Sequence, residues 1–343
     1  MEIKLQNIKI GKKNPPIIIV DLGINHSGSI DKAIYLSDLA IKNGAQIIKH
    51  QTHIADEEMS IEAKKIIPGN SKNSIYSIIK RFSLSYNDEK KLANYIKKKN
   101  KIFISTPFCK SAVDRLVEFN IPIFKIGSGE CNNYPLVEYI CSKKKPIILS
   151  TGMNNIASIR NSVSIIKKYK LPYALLHCTN IYPTPSHLVR LEAMLELKNF
   201  FKDAIIGLSD HTETIYTSLG AVSLGASIIE KHFTDDKKSR GPDMSASLDP
   251  SELRMLIEGS KTIFYAMKGK KKPLKEEAKT IAFAFASVAA VKNIKKEEIF
   301  SENNIFPIRP GNGFFKVKDY KKLLGKKSKF NIKKGEQIKK IHV

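Results

Sequence analysis

The chain has 343 residues, 42% of them hydrophobic, which suits one large domain with a small one or two domains of medium size. Its 58 Lys and Arg residues outnumber 33 Asp and Glu residues, but the excess is almost all lysine and no nucleic-acid-binding motif accompanies it. We therefore expect a lysine-rich surface that helps to attract anionic substrates, not a nucleic-acid interface.

The N-terminal segment and the cysteines predict a cytoplasmic protein. The segment MEIKLQNIKIGKKNPP has no apolar signal core, and no stretch reaches the roughly 18 uninterrupted apolar residues that a membrane helix requires. The four cysteines lie far apart, without a C-x-x-C pair, so reduced and buried thiols are expected at Cys109, Cys131, Cys141 and Cys178.

From residue 17 onward, apolar runs alternate with amphipathic segments at a regular spacing. The predicted strands are residues 17–23, 47–51, 102–108, 123–127, 146–152, 174–180, 205–211 and 228–233. A predicted helix follows each strand, and the last helix covers residues 250–267. Eight such βα units predict an α/β fold, a (β/α)8 TIM barrel. A doubly wound open sheet is the alternative, but no G-x-G-x-x-G follows the first strand.

Two regions depart from this alternation. Residues 52–85 form a long irregular segment with a short predicted helix at 75–82, and loops of this length are often functional. After a charged linker at 269–279, residues 280–343 predict a small β-rich domain of short strands and turns, which begins with IAFAFASVAAV. The barrel domain would cover residues 1–268. The small domain is marginal in size, so we expect it to pack on the barrel or on a second subunit.

Polar residues fall at the predicted carboxyl end of nearly every strand, where barrel enzymes carry their active sites. Lys49 and Lys125 lie inside apolar strands, where an unpaired ammonium would cost several kcal/mol. Together with the nearby hydroxyl groups, they predict a small, strongly anionic ligand, such as a phosphate ester that also carries a carboxylate.

His211 and His232 lie at the ends of the seventh and eighth predicted strands. Neighbouring parallel strands end at the same edge, so the two imidazoles could bind one divalent ion, although a single histidine there is usually only hydrogen-bonded or solvated. Two imidazoles are too few to saturate Mn2+ or Mg2+. Water and substrate oxygens would therefore complete the shell.

An ordered set of motifs, covering essentially the whole chain, resembles the sialic acid synthase family. The motifs are DLGINHSG, KHQ from Lys49, STPF from Ser105, KIGSGE from Lys125, STGM from Ser150, HCTNIYPTP from His177, GLSDHT from Gly207, EKHFT from Glu230 and GPD from Gly241. The segments RPG and LGK near the C-terminus resemble the antifreeze-like SAF domain that follows the barrel in this family. The segments IIKHQTHI and FKIGSGECNNYPL are most similar to the corresponding segments of bacterial N-acetylneuraminate synthases.

The resemblance implies a phosphoenolpyruvate-dependent condensation with an N-acetylated hexosamine. Phosphoenolpyruvate would contact Lys49, Thr106, Lys125, Ser128, Ser150, Asn180 and Ser209. The sugar would contact Gln51, Asn70, Glu130, Tyr182, Asp243 and Arg309. His211 and His232 would bind the divalent metal, Mn2+ or Mg2+. Catalytic roles would belong to Asp21, Lys49, Lys125 and Glu130, with Glu130, or Asp21 through water, carrying the proton. Family members are domain-swapped homodimers, so Arg309 would reach the N-acetyl group in the partner's site.

One residue departs from the family pattern. Asp21 stands where the family usually has Glu, and the shorter side chain retracts the carboxylate by on the order of 1.5 Å. Either a water bridges that gap or activity is impaired.

The motifs imply synthesis of N-acetylneuraminate from N-acetylmannosamine, with phosphate released by C–O cleavage. The same condensation on a 2,4-diacetamido-dideoxyhexose, giving legionaminic or pseudaminic acid, stays open because the side chains that select the sugar cannot be placed. A non-catalytic, basic polyanion-binding protein is a second alternative. It predicts salt-sensitive binding and no phosphate release with any sugar.

Overall fold

The computed structural model describes residues 1–68, 72–239 and 241–343. These residues form two compact units, Met1–Lys268 and Gly269–Val343. Across the described ranges, no helix is long and apolar enough to cross a membrane.

In the described part of the first unit, eight parallel strands form a nearly closed barrel, which confirms the predicted fold. A short antiparallel hairpin, β1 (Ile3–Leu5) and β2 (Ile8–Ile10), precedes them. The barrel strands are β3 (Ile17–Asp21), β4 (Ile47–Thr52), β5 (Ile102–Pro107), β6 (Phe124–Ile126), β7 (Ile147–Ser150), β8 (Tyr173–Cys178), β9 (Ile205–Ser209) and β10 (Ile228–His232). Their order is β5-β4-β3-β10-β9-β8-β7-β6, and β5 also contacts β6.

The helices of the first unit surround the strands and mostly begin at side-chain caps. They are α1 (Ile30–Lys42), α2 (Ala55–Glu58), α3 (Ile75–Phe82), α4 (Tyr86–Lys98), α5 (Lys110–Glu118), α6 (Tyr134–Ser142), α7 (Ile156–Lys168), α8 (Leu191–Phe200), α9 (Tyr216–Ser223) and α10 (Pro250–Ala266). Short 3-10 helices cover Ile61–Lys64, Ser186–Leu188 and Met244–Ala246. At α10, Asp249 and Glu252 form a reciprocal capping box, which satisfies two backbone donors.

Side chains alternate between an inner and an outer core, as the strand period requires. Ile47 of β4 belongs to the inner core, whereas Ile48 packs with the helices. Ile3, Leu5 and Ile10 of the hairpin join the inner core, which contains the first residues of several strands. The hairpin therefore fills the amino-terminal end of the barrel and leaves the carboxyl end for polar residues. All four cysteines are free and buried.

The second unit has its own core around a two-stranded antiparallel sheet, β11 (Ser287–Ala290) and β12 (Ile305–Ile308). Its helices are α11 (Ala278–Ala284) and α12 (Tyr320–Leu323), and 3-10 turns cover Lys275–Glu277, Val317–Asp319 and Lys340–His342. Residues 281–284, which the apolar pattern assigned to a strand, belong to α11. The prediction was wrong there because the segment is rich in alanine, the strongest helix former.

Candidate active site

A cavity of about 330 Å3 opens at the carboxyl ends of the barrel strands. Its polar lining consists of Asp21, Lys49, Gln51, His53, Thr106, Lys125, Ser128, Ser150, Asn180, Tyr182, Ser209, His211, Glu230, His232 and Asp243. Its apolar lining includes Ile24, Pro68, Ile75, Ile78, Ile79 and Phe108. Every residue that the family resemblance assigned to phosphoenolpyruvate or to the metal thus lines one cavity.

Lys49 contacts two acidic side chains inside this cavity. Its Nζ lies 2.7 Å from Oδ2 of Asp21 and 3.8 Å from Oε1 of Glu230, and its side chain is 3% exposed. Burial would lower the pKa of Lys49, but the two carboxylates raise it above the ordinary lysine value. Lys49 is therefore a cation at neutral pH, already balanced by negative charge.

Asp21 reaches its neighbours directly despite its short side chain. Oδ1 accepts a hydrogen bond from the backbone N–H of Gly23 at 3.0 Å, and Oδ2 accepts one from Nε2 of Gln51 at 3.3 Å. Burial alone would raise the pKa of Asp21, but Lys49 and His232 hold it well below the usual range. The ion pair with Lys49 needs no bridging water, whereas the effect of Asp21 on turnover stays a prediction.

Lys125 is the second buried ammonium. It donates hydrogen bonds to Oγ of Ser150 at 2.8 Å and to the carbonyl oxygen of Ile126 at 3.2 Å, and it lies 3.4 Å from Oε1 of Glu230. Burial lowers the pKa of Lys125, and Glu230 offsets only part of this effect. The two lysines thus share one carboxylate and face the same cavity.

Glu230 is the residue whose role sequence reasoning missed. Its Oε1 lies close to both lysines and also accepts a hydrogen bond from Oγ of Ser209 at 3.1 Å. Within the described residues, its Oε2 is buried without a hydrogen-bond partner. The available signal was the spacing Glu230-Lys231-His232, which places the glutamate and the second histidine on the same face of β10.

The predicted hydroxyl and amide ligands are closely packed. Oγ of Ser128 accepts a hydrogen bond from the N–H of Gly152 at 3.0 Å, while Oγ1 of Thr106 is buried and has no partner among the described residues. A Cβ atom on Gly152 would lie 1.8 Å from Oδ1 of Asn180. Glycine is therefore required for these groups to converge.

His211 and His232, the histidine pair, lie on neighbouring strands with their ring centroids 5.4 Å apart. Nδ1 of His211 lies 2.9 Å from the carbonyl oxygen of Thr179, so it carries the proton there and leaves Nε2 free to bind an ion. Nδ1 of His232 is buried without a hydrogen-bond partner among the described residues, 3.4 Å from Asp21 and 3.8 Å from Asp243.

This donor set fits a divalent ion that also binds water and substrate. The histidine pair offers imidazole nitrogens, which bind many divalent ions. The buried Nδ1 of His232, which has no hydrogen-bond partner among the described residues, indicates that a polar group or ion is still needed beside it. Across residues 1–68, 72–239 and 241–343, no group of three or more His, Cys, Asp or Glu side chains forms a metal-binding cluster. Protein ligands alone would not complete the shell.

The predicted sugar ligands are only partly brought together. Gln51, Tyr182 and Asp243 line the cavity, and the ring of Tyr182 lies 4.1 Å from that of His211. Glu130 is half-buried beside the cavity-lining Gly129 and accepts a hydrogen bond from Nδ2 of Asn133 at 2.7 Å. Burial raises the pKa of Glu130.

Asn70 and Arg309 are the other two predicted sugar ligands. Asn70 lies outside the described residues. Arg309 belongs to the second unit, Gly269–Val343, so its role stays a prediction.

Residues 36–272 match the NeuB family, and residues 285–343 match the SAF domain. The chain is 41% identical to the N,N'-diacetyllegionaminic acid synthase of Campylobacter jejuni, over 94% of this chain and 98% of that protein. It is 34% identical to a pseudaminic acid synthase of the same species, over 98% of both chains.

Solved structures give the same assignment. The N-acetylneuraminic acid synthetase of Leptospira borgpetersenii, solved with citrate, superposes with a TM-score of 0.75 at 34% identity. The match covers 82% of this chain and 95% of that one. The chain therefore belongs to the NeuB family of sialic acid synthases and carries a C-terminal SAF domain.

Proposed function

We propose that this NeuB-family chain is an N-acetylneuraminate synthase that condenses phosphoenolpyruvate with N-acetylmannosamine. The observation that carries the proposal is the pair of buried ammonium groups, Lys49 and Lys125, that share a cavity with the histidine pair. Buried cations in one cavity suit a ligand with phosphate and carboxylate groups, and the imidazoles suit a carbonyl-activating ion. The segments IIKHQTHI and FKIGSGECNNYPL favour the N-acetylneuraminate branch of the family.

The proposed reaction involves no oxidation or reduction. Carbon 3 of phosphoenolpyruvate forms a bond with the aldehyde carbon of the open-chain sugar, and the aldehyde oxygen takes up a proton. A water oxygen bonds to carbon 2 and loses one proton. Its second proton leaves as this oxygen becomes the keto oxygen and the bond between carbon 2 and the phosphate oxygen breaks. The products are a 2-keto acid and inorganic phosphate. Lys49 and Lys125 would stabilise the phosphate charge throughout.

The histidine pair would hold Mn2+ or Mg2+. When bound, the ion supplies Lewis-acid polarisation of the aldehyde oxygen. The hydrogen bond from His211 to the carbonyl oxygen of Thr179 supports this role, because it fixes the tautomer that leaves Nε2 available.

Proton transfer is assigned to Glu130, or to Asp21 through a water molecule. Burial raises the pKa of Glu130, which supports a carboxyl group that can hold a proton for transfer. The lowered pKa of Asp21 supports a permanent anion that orients Lys49.

The same chemistry on a 2,4-diacetamido-dideoxyhexose is the second candidate function. It is favoured by the identity to the legionaminic acid synthase and by the apolar cavity wall of Ile24, Ile75, Ile78 and Ile79, which would suit a deoxy sugar. The two candidates differ only in the sugar, so a direct comparison of sugars separates them.

The test uses purified full-length chain with Mn2+, phosphoenolpyruvate and each sugar in turn. Phosphate release and the product mass are measured. We expect kcat/KM for N-acetylmannosamine to exceed that for each diacetamido sugar at least tenfold. A reversed order would assign the chain to the legionaminic or pseudaminic branch. No release with any sugar, together with salt-sensitive polyanion binding, would support the non-catalytic alternative.

The proposal also includes a domain-swapped homodimer in which Arg309 contacts the sugar in the partner's site. The exposed aromatic residues Phe283, Phe285, Phe306 and Phe314 support an interface on the second unit. Light scattering is expected to give the mass of a dimer. A stable monomer with full activity would exclude this role of Arg309.

A further inference from the structure

A buried ion pair lies directly behind the histidine pair, on the outer face of the barrel. The register of β9 and β10 pairs Ser209 with Glu230, and the backbone N–H of Asp210 donates to the carbonyl oxygen of Glu230 at 2.9 Å. Asp210 and Lys231 are therefore the next neighbours along the two strands. Because side chains alternate, they face the helices while the residues on either side face the cavity.

The two side chains hold the turn that follows β9. Nζ of Lys231 lies 3.6 Å from Oδ2 of Asp210 and donates to the carbonyl oxygen of Thr212 at 2.5 Å. Oδ1 of Asp210 accepts from the N–H of Thr212 at 2.9 Å. Its Oδ2 accepts from Thr217 at 2.7 Å and from Ser218 at 2.6 Å. Both peptide groups of the turn residue Thr212 are thus bound by the pair, which also ties the turn to α9.

On one side, this pair borders the apolar outer core. The preceding residues on the same face, Leu208 and Ile229, belong to the outer core, and the side chains of Asp210 and Lys231 are both 0% exposed. A buried ion pair is often no more stabilising than apolar residues of the same size. Fold stability alone therefore gives little reason for charged residues at these two positions.

Their position relative to the histidine pair gives a more specific reason. His211 lies within the turn that Asp210 and Thr212 flank, whereas His232 is the last residue of β10, next to Lys231. The position of the His232 ring is set by strand β10. The position of the His211 ring is set by the turn that Asp210 and Lys231 hold, and its Nδ1 bonds to the carbonyl oxygen of Thr179. Loss of the contacts of Asp210 and Lys231 with Thr212 would let His211 move relative to His232.

We propose that Asp210 and Lys231 form a positioning pair that sets the separation of the two imidazoles and thereby the affinity of the barrel mouth for a divalent ion. This inference rests on the metal role in the proposed function. Partners that orient metal ligands from behind typically change affinity by about 10- to 100-fold when they are removed.

The test measures Mn2+ binding to the full-length chain without substrates, by the electron paramagnetic resonance signal of free Mn2+. Lys231→Met leaves a buried carboxylate without its cation, so it should lower both the melting temperature and the affinity for Mn2+. The double variant Asp210→Leu/Lys231→Met removes both charges. We expect it to regain part of the melting temperature that Lys231→Met loses, while its Kd for Mn2+ stays about tenfold or more above the wild-type value.

Leu208→Ala is the matched control, because it creates a cavity in the same outer core and leaves the ion pair in place. Its melting temperature should fall while its Kd for Mn2+ stays within about twofold of the wild-type value. The inference is overturned if the double variant binds Mn2+ like the wild type, or if Leu208→Ala weakens binding as much as Lys231→Met does.

The wild type and His211→Ala separate this inference from the proposed function. Mn2+ binding by the wild type that is lost in His211→Ala supports the metal assignment, whatever the pair does. A wild type that binds no Mn2+ overturns the metal assignment and this inference together. Normal binding by the double variant overturns the positioning role alone.

Discussion

Replacing Lys49 with methionine should destabilise the barrel and weaken phosphoenolpyruvate binding. The substitution keeps the apolar stem and removes the ammonium that lies 2.7 Å from Asp21 and 3.8 Å from Glu230. Breaking a buried ion pair by removing one partner costs roughly 3–5 kcal/mol, because the other charge stays buried. With an unfolding entropy of about 2.1 cal/mol/K per residue, a unit of this size should lose roughly 5–9 °C in melting temperature.

The effect of Lys49→Met should depend on pH in a defined direction. In the wild type the pKa of Asp21 is lowered, so its contribution to stability is present above the ordinary aspartate value of 3.8 and is lost as the pH falls below it. Without Lys49, burial should raise the pKa of Asp21, and protonation then relieves the penalty. The gap in melting temperature between variant and wild type should therefore narrow from about pH 8 to about pH 5.

Two variants calibrate this experiment. Asp21→Asn/Lys49→Met removes both charges and should recover at least half of the lost melting temperature. Lys42→Met removes an exposed lysine, 3.6 Å from Asp38, and should change the melting temperature by less than about 2 °C. A Lys49→Met protein that melts within about 2 °C of the wild type across the pH range would refute the buried ion pair.

The binding effect of Lys49→Met is measured separately. A hydrogen bond between charged groups contributes about 1.5–3 kcal/mol, so KM for phosphoenolpyruvate should rise by roughly 10- to 150-fold. The KM for the sugar should change much less. An unchanged KM for phosphoenolpyruvate would remove Lys49 from the anion site.

Three further variants test other buried groups of the barrel. Glu230→Gln should lower kcat/KM for phosphoenolpyruvate by at least about tenfold, because both cavity-lining lysines lose the carboxylate they share. An unchanged value would leave Glu230 with a structural role only. Glu89→Gln should lower the melting temperature by several degrees with KM unchanged, since buried Glu89 contacts His50 and Arg115. The pKa of Glu89 is lowered, so that deficit should shrink in acid; a constant deficit would contradict the ionised pair. His211→Ala should abolish metal-dependent phosphate release, and wild-type turnover in this variant would remove the metal assignment.

The barrel and most of the cavity could be predicted because both follow from strand periodicity. Because side chains alternate along β4, Lys49 points into the cavity and His50 points outward to Glu89. The order of residues in the motif therefore indicates which side chain can contact a ligand. The carboxyl ends of parallel strands converge, which is why Ser150 and the distant Lys125 could be expected together.

What could not be predicted depends on register and on loop geometry. The contact of Glu230 with both lysines requires the exact stagger of three strands, and the pairing of Asp210 with Lys231 requires the register of β9 and β10. The position of Glu130 depends on the turn after β6, where it bonds to Asn133 instead of lining the cavity. Hydrophobic periodicity carries no information about these distances.

The most direct test of the proposed reaction follows the oxygen that joins carbon 2 of phosphoenolpyruvate to phosphorus. The purified chain is supplied with Mn2+, N-acetylmannosamine and phosphoenolpyruvate that carries 18O at this bridging position, and the released phosphate is examined by 31P NMR. C–O cleavage predicts that the label appears in inorganic phosphate and that release requires the sugar. Unlabelled phosphate, or release at the same rate without sugar, would contradict the proposed condensation.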